Sequence, residues 1–152
     1  MAVIDVGGRV RQGEELDVQA ITEWLIQNGN NVESPVEVTQ YSGGASNWTY
    51  RLKYANADLI LRRPPQGTKA KSAHDMAREY HVQKALAGYY PVVPEMVALC
   101  QDESVIGCDF YVMKRIEGII PRAKMPPELQ LTESDIRTLC INMIDKLIEL
   151  HQ

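Results

Sequence analysis

YSGGASNWTYRLKY, residues 41–54, sets two adjacent glycines between two runs that read as strands. Before them, Pro35–Tyr41 alternates, with Val36 and Val38 on one side; after them, Trp48–Tyr54 alternates again. Period-two patterning on both flanks makes the segment a hairpin. The turn has two readings. It is either a plain reversal or a nest, in which successive main-chain N–H groups form a concave, partly positive cradle for phosphate oxygens. Gly43 and Gly44 lack a Cβ and so allow close approach of a ligand, while Ser42, Ser46 and Asn47 add donors. The turn taken alone leaves both readings open. It is not a Walker loop, since no Lys-Ser/Thr follows, and it is not a dinucleotide fingerprint, since a strand follows it rather than a helix.

Working outward, Asn56-Ala57 turns the chain into a third strand, Asp58–Arg63, which Pro64-Pro65 ends because proline cannot donate to a ladder. Gln66–Lys71 is a basic loop. Ser72 is a candidate cap for a helix reaching Ala87, with Met76, Tyr80 and either Gln83 or Leu86 turned inward. The PVVP of residues 91–94 is an extended connector, and Glu95–Cys100 and Asp109–Ile116 read as two more strands around a DESVIG turn. On the other side, residues 1–15 are expected to form a flexible arm. Leu16–Gln27 then places Val18, Ile21, Trp24 and Leu25 on one helical face, with Asn28-Gly29 as the stop. Five strands with one helix inserted after the third predict an α+β fold with an antiparallel sheet, not a βαβ succession. The lobe is expected to span 16–118. Residues 119–131, broken by Pro121, Pro126 and Pro127, read as a linker. Residues 132–152 read as a helix capped by Thr132, with Asp135 placed for a capping box. Its stripe is Ile136, Leu139, Cys140, Met143, Leu147 and Leu150.

The totals narrow the function classes. A chain of 152 residues is one ordinary domain, and a net charge of −4 argues against a nucleic-acid partner. No apolar run approaches the ~20 residues of a membrane span, and the first fifteen residues lack the apolar core of a secretory signal. Cys100, Cys108 and Cys140 have no paired spacing and read as reduced thiols of a cytoplasmic protein, without a metal.

The third strand carries the chemistry further. Ile60 and Arg62 share one face of it and Leu59 and Leu61 the other, so a cation and an apolar floor face one cleft. Glu79, on the following helix, is placed to hold that cation by an ion pair, although a helix glutamate is as readily a solvated surface residue. In FYVMKRIEG, Phe110–Met113 would pack an apolar slot. The Lys114 carbonyl and the Ile116 N–H would read the edge of a heterocyclic base. Glycine turn, strand cation, helix acid and strand-end segment follow in the order of a kinase nucleotide clamp.

In YSGGASNWTY, LILRRPP, SAHDMAREYHVQKAL, VALCQDESVIGCDFYVMKRIEG and the terminal LIELH, the chain resembles the aminoglycoside phosphotransferase and choline-kinase-like family. It is most similar to the branch found ahead of acyl-CoA dehydrogenase modules, over roughly residues 16–152. The resemblance implies a protein-kinase-like amino-terminal lobe and the start of a helical second lobe. It implies Mg-ATP as the bound nucleotide, with Ser42–Asn47 as the nucleotide-positioning loop and Met113–Ile116 as the hinge. It puts Arg62 where most members have a phosphate-binding lysine, and Glu79 where they have its helix partner. Arginine is a planar, bidentate, permanent cation and not a neutral exchange for lysine. The family's catalytic His-Gly-Asp loop and its metal-binding aspartate are expected after residue 152, so no catalytic residue or metal ligand is expected in this chain, which is expected to be inactive alone.

Two functions follow as expectations: the ATP-binding lobe of a kinase acting on a small-molecule hydroxyl, or a non-catalytic nucleotide-binding or dimerisation module. In the second, a homodimer would pack through the 133–150 helix. The acceptor is left open among a hydroxyacyl compound, an aminoglycoside, choline, homoserine or another compound. The basic stretch Arg62, Arg63, Lys69 and Lys71 reads as a solvated loop or as a greeting for an anionic acceptor.

Overall fold

A computed structural model describes residues 7–34, 36–42, 47–67, 75–120 and 125–151. The chain divides into two units, one running Val6–Ile116 and the other carrying Glu117 onward. The first unit contains α1 (Val18–Gln27), β1 (Glu37–Gln40), β2 (Trp48–Lys53), β3 (Asp58–Arg63), α2 (Met76–Leu86), β4 (Met96–Cys100), α3 (Glu103–Ile106) and β5 (Phe110–Lys114). Every strand pair is antiparallel, and the sheet order is β1-β2-β3-β5-β4. The α+β lobe with its five-stranded sheet and single inserted α2 is therefore the architecture that the patterning predicts. The DESVIG segment differs. It contains a one-turn helix, α3, capped by the Asp102 carboxylate and ended at Gly107 with φ +80°, where the expectation was a turn alone.

Alternation assigns the two faces of the sheet. Tyr50, Leu52, Leu59, Leu61, Phe110 and Val112 are buried on one face with Ile21 and Leu25 of α1. Trp24 meets Phe110 edge to face, with ring centroids 5.3 Å apart. Helix α1 is held at both ends: Asp17 accepts from the Ala20 N–H at 2.9 Å. At its exit the Gly29 N–H reaches the Ile26 carbonyl and the Asn30 N–H reaches the Leu25 carbonyl, both at 3.0 Å. That pair of bonds is the Schellman closure, and it needs the left-handed backbone that Gly29 supplies at φ +81°. The opposite face buries Met76 and Tyr80 of α2 against Tyr111, with Met96, Leu99 and Met113 packed beside them. Ser72, the expected cap of α2, lies outside the described residues. The described N-cap is Asp75, accepting from the Arg78 N–H at 2.8 Å.

The segment expected as a loose arm is tied to the sheet where it is described. Gly8 exchanges both main-chain bonds with Gln40, at 2.8 and 2.9 Å. The Gln40 side chain takes the Arg11 N–H at 2.9 Å and donates to Glu14 at 2.6 Å, and the Tyr50 hydroxyl donates to the Glu14 carbonyl at 2.7 Å. Burial pushes the Tyr50 phenol from its ordinary 10 up to about 12. The folded state thus favours the neutral ring. This contribution to stability is whole below pH 10 and is lost as the pH climbs from 10 toward 12. Urea melts at pH 9 and 11 should show Tyr50→Phe losing less stability over that interval than the wild type. Tyr54 and Tyr111, also raised by burial, leave a residual decline.

In the second unit, α4 (Glu133–Leu150) follows a short 3-10 turn, Pro127–Leu129. Thr132 and Asp135 form the reciprocal capping box. The apolar surface of α4 is broader than the stripe read from the sequence. Ile141, Ile144 and Ile148 join Ile136, Leu139, Met143, Leu147 and Leu150, and all are 39–62% exposed. At 3.6 residues per turn the arc covers roughly 200°. Among the described residues no helix is long and apolar enough to cross a membrane, and the three cysteines are free thiols.

Candidate nucleotide cleft

The α2-side face of the sheet carries the candidate site, and register determines what stands there. Ile60 lies opposite Met113 and Arg62 opposite Tyr111, so all four side chains share that face. Arg51 pairs with Ile60 across β2 and β3, and Asp58 precedes Ile60 by two residues. Along β3 the face therefore reads Asp58, Ile60, Arg62: charge, apolar floor, charge, spread over about 13 Å at the rise of a strand.

At one end, Glu79 of α2 gathers three elements. Its Oε2 lies 3.6 Å from Arg62 Nη1 and accepts the Tyr111 hydroxyl at 3.0 Å, while Oε1 accepts the Asn47 amide at 2.8 Å. Gln83, one turn along α2, donates to the Tyr111 oxygen at 3.3 Å. The Arg62 guanidinium carbon stands 6.0 Å from the Tyr111 ring centroid, and burial raises the pKa of that phenol above its ordinary value. The Arg62 Nε is buried without a hydrogen-bond partner among the described residues. Arg62, Arg78, Glu79, Val82 and Gln83 line an open pocket of about 390 Å³ beside it.

The expected site residues fall into three groups. Ile60, Arg62, Glu79 and Met113 come together on one face. Ser42 is exposed two residues past β1, and Asn47, 3% exposed, spends an amide N–H on Glu79. Gly43, Gly44 and Ser46 lie outside the described residues. At the strand end, the Lys114 N–H is bonded to the Glu95 carbonyl at 2.8 Å and its ammonium to the Glu95 carboxylate at 2.7 Å, while Ile116 is 65% exposed. Two expectations are corrected. Phe110 and Val112 belong to the α1-side core, so only Tyr111 and Met113 of the FYVM run face the cleft. Arg63 also leaves the basic stretch: it is 4% exposed on the far face, its guanidinium 5.4 Å from the Trp48 ring. Lys69 and Lys71 lie outside the described residues.

The patterning also missed the polar roles of Tyr111 and Gln83 and a cluster at the far end of β3. There Asp58 takes a bidentate pair of bonds from Arg51 at 2.8 and 2.7 Å, and a third from Arg115 at 3.2 Å. Those bonds, Arg51 foremost, hold the Asp58 carboxyl below the usual range. A carboxylate two residues before Ile60 was visible as a same-face neighbour; its partners were not.

The model of the phosphotransferase enzyme family matches residues 37–152. The chain belongs to that family. Among curated relatives, this phosphotransferase-family chain is 41% identical over 116 residues to acyl-CoA dehydrogenase family member 11 of Gallus gallus, covering 76% of this chain and 14% of the relative. It is 36% identical over 116 residues to acyl-CoA dehydrogenase family member 10 of Mus musculus, covering 76% of this chain and 11% of the relative. A solved Ralstonia eutropha protein, assigned as an aminoglycoside phosphotransferase, superposes with a TM-score of 0.59 at 33% identity, over 75% of this chain and 33% of that one. The phosphotransferase-family chain thus spans a small part of its curated relatives and a third of that solved neighbour.

Proposed function

We propose that this chain is the ATP-binding lobe of a small-molecule phosphotransferase, the kind that moves a γ-phosphate onto a hydroxyl. The observation that carries this reading is Arg62, with a buried and unpartnered Nε among the described residues and Glu79 at 3.6 Å, on the same sheet face as the apolar pair Ile60 and Met113. An anion at Arg62 would satisfy the orphaned donor, and a flat heterocycle over Ile60 and Met113 would cover the apolar floor. A charged hydrogen bond of this kind contributes about 1.5–3 kcal/mol. Glu79 orients Arg62 without consuming it, because its closer contacts are with Asn47 and Tyr111. Family membership and the kinase-like lobe support the same assignment. Among the described residues no group of three or more His, Cys, Asp and Glu is placed to hold a metal ion.

The roles here are binding and orientation: Arg62 neutralises phosphate, Glu79 and Tyr111 aim it, and Ile60 and Met113 exclude water from one side of the base. The acceptor would be a small molecule bearing a hydroxyl. A thermal-shift titration with Mg-ATP tests the reading. At fifty times Kd a single site adds about 2.3 kcal/mol, a rise of roughly 5–9 °C for a domain of this size. An unmoved melting temperature at millimolar Mg-ATP would end the proposal.

A further inference from the structure

The cluster at the other end of the cleft face is not part of the phosphate end, and its geometry reaches the strand-end segment 113–116. The Asp58 main-chain oxygen accepts the Arg115 N–H at 3.0 Å, extending the β3–β5 ladder one residue past β5. The Asp58 carboxylate holds Arg51 of β2 by two bonds and Arg115 by a third. Arg115 Nε also donates to the Tyr41 hydroxyl at 3.3 Å, immediately before Ser42. Although it lies in a connecting segment, the Arg115 side chain is only 6% exposed. A connecting arginine is ordinarily solvated; this one is drawn back under the sheet by Asp58 on β3 and Tyr41 at the end of β1.

We propose that Asp58 and Arg115 form a clasp that fixes the main chain of residues 113–116 against β3, making them positioning residues for the base of a bound nucleotide. The proposal rests on the nucleotide reading above and adds to it the part that recognises the base. Main-chain recognition of a heterocycle needs a donor and an acceptor at fixed spacing, and a segment beyond the end of its ladder keeps that spacing only if something anchors it. Arg115 is anchored at both its amide and its guanidinium by the same residue, Asp58, so backbone and side chain are held by one rigid strand end. Asp58 stands about 13 Å along β3 from Arg62 at the phosphate end. The clasp should therefore matter for the base and not for the phosphates.

The test is a pair of titrations on the 152-residue chain, one with Mg-ATP and one with magnesium tripolyphosphate, which offers the phosphates without a base. Asp58→Asn is expected to raise the Kd for Mg-ATP about tenfold, the equivalent of one lost charged contact. The Kd for tripolyphosphate should stay within about twofold. A purely structural role would weaken both ligands equally, and that result, or an unchanged Mg-ATP affinity, overturns the clasp while leaving the nucleotide reading intact. A wild-type chain that binds neither ligand overturns both. Should Asp58→Asn fail to fold, Arg115→Lys carries the same expectation: it keeps the charge but loses the forked donor. Its failure to separate the two ligands would also overturn the clasp.

Discussion

Phe110→Ala should cost about 3–5 kcal/mol of unfolding free energy, the range for deleting a fully buried aromatic ring. At about 2–4 °C per kcal/mol, melting should fall by roughly 6–20 °C. Phe110 is 0% exposed, sits on a strand flanked by β3 on one side and β4 on the other, and meets Trp24 edge to face. The ring is thus one of the contacts that seat α1 on the sheet. Its removal leaves a cavity lined by side chains on regular elements that cannot collapse freely. The cost should be far larger than that of Met113→Ala, whose side chain is only half-buried on the opposite face. Differential scanning calorimetry of both variants checks this. A drop under about 1 kcal/mol for Phe110→Ala would mean that the α1-side packing is not as described.

Arg62→Ala should remove half or more of the Mg-ATP stabilisation while leaving the unliganded melting temperature within a few degrees of wild type. Its guanidinium sits 3.6 Å from Glu79, a long separation, and both side chains are about 30% exposed, so the pair itself adds little to folding. Loss of the phosphate contact should weaken nucleotide binding by roughly tenfold to a hundredfold. At fifty times the wild-type Kd, the stabilisation should fall from about 2.3 kcal/mol to about 0.2–1.1 kcal/mol. Arg62→Lys discriminates further: it restores the charge but not the fork, and partial recovery is expected. An Arg62→Ala chain whose melting temperature rises with Mg-ATP as much as the wild type's would move the anion site elsewhere.

Much of this was legible in the residues because the signals were local. Asp58–Arg63 was bounded correctly since a turn precedes it and Pro64-Pro65 follows. The capping box at Thr132 and Asp135 and the stop at Asn28-Gly29 are likewise made by residues two to five apart. The facing of Ile60 with Arg62 follows from strand period alone. What escaped depended on register or on distance in sequence. Taking FYVM as one slot ignored the alternation that sends Phe110 and Val112 to the α1 side, so the role of Tyr111 went unseen. The bonds from Gly8, Arg11 and Glu14 to Gln40 cross about thirty residues, and no periodicity in a polar segment announces them. The Asp58 cluster joins β2, β3 and the segment after β5, an adjacency set by the order in which strands pair. The one-turn helix α3 was lost because four residues are too few to display a period.

The Gly8–Gln40 pairing has a bearing on how the protein is handled. A strand at the rim of a sheet offers unpaired N–H and C=O groups to any neighbour, and β1 would be such a rim. Gly8 occupies part of that flank, and Gly7 is so close that an added Cβ would stand 2.5 Å from Thr39 Oγ1. The opening residues therefore act as selvedge on a woven cloth. A version trimmed to begin at α1 would fray there, inviting strand-to-strand association between molecules.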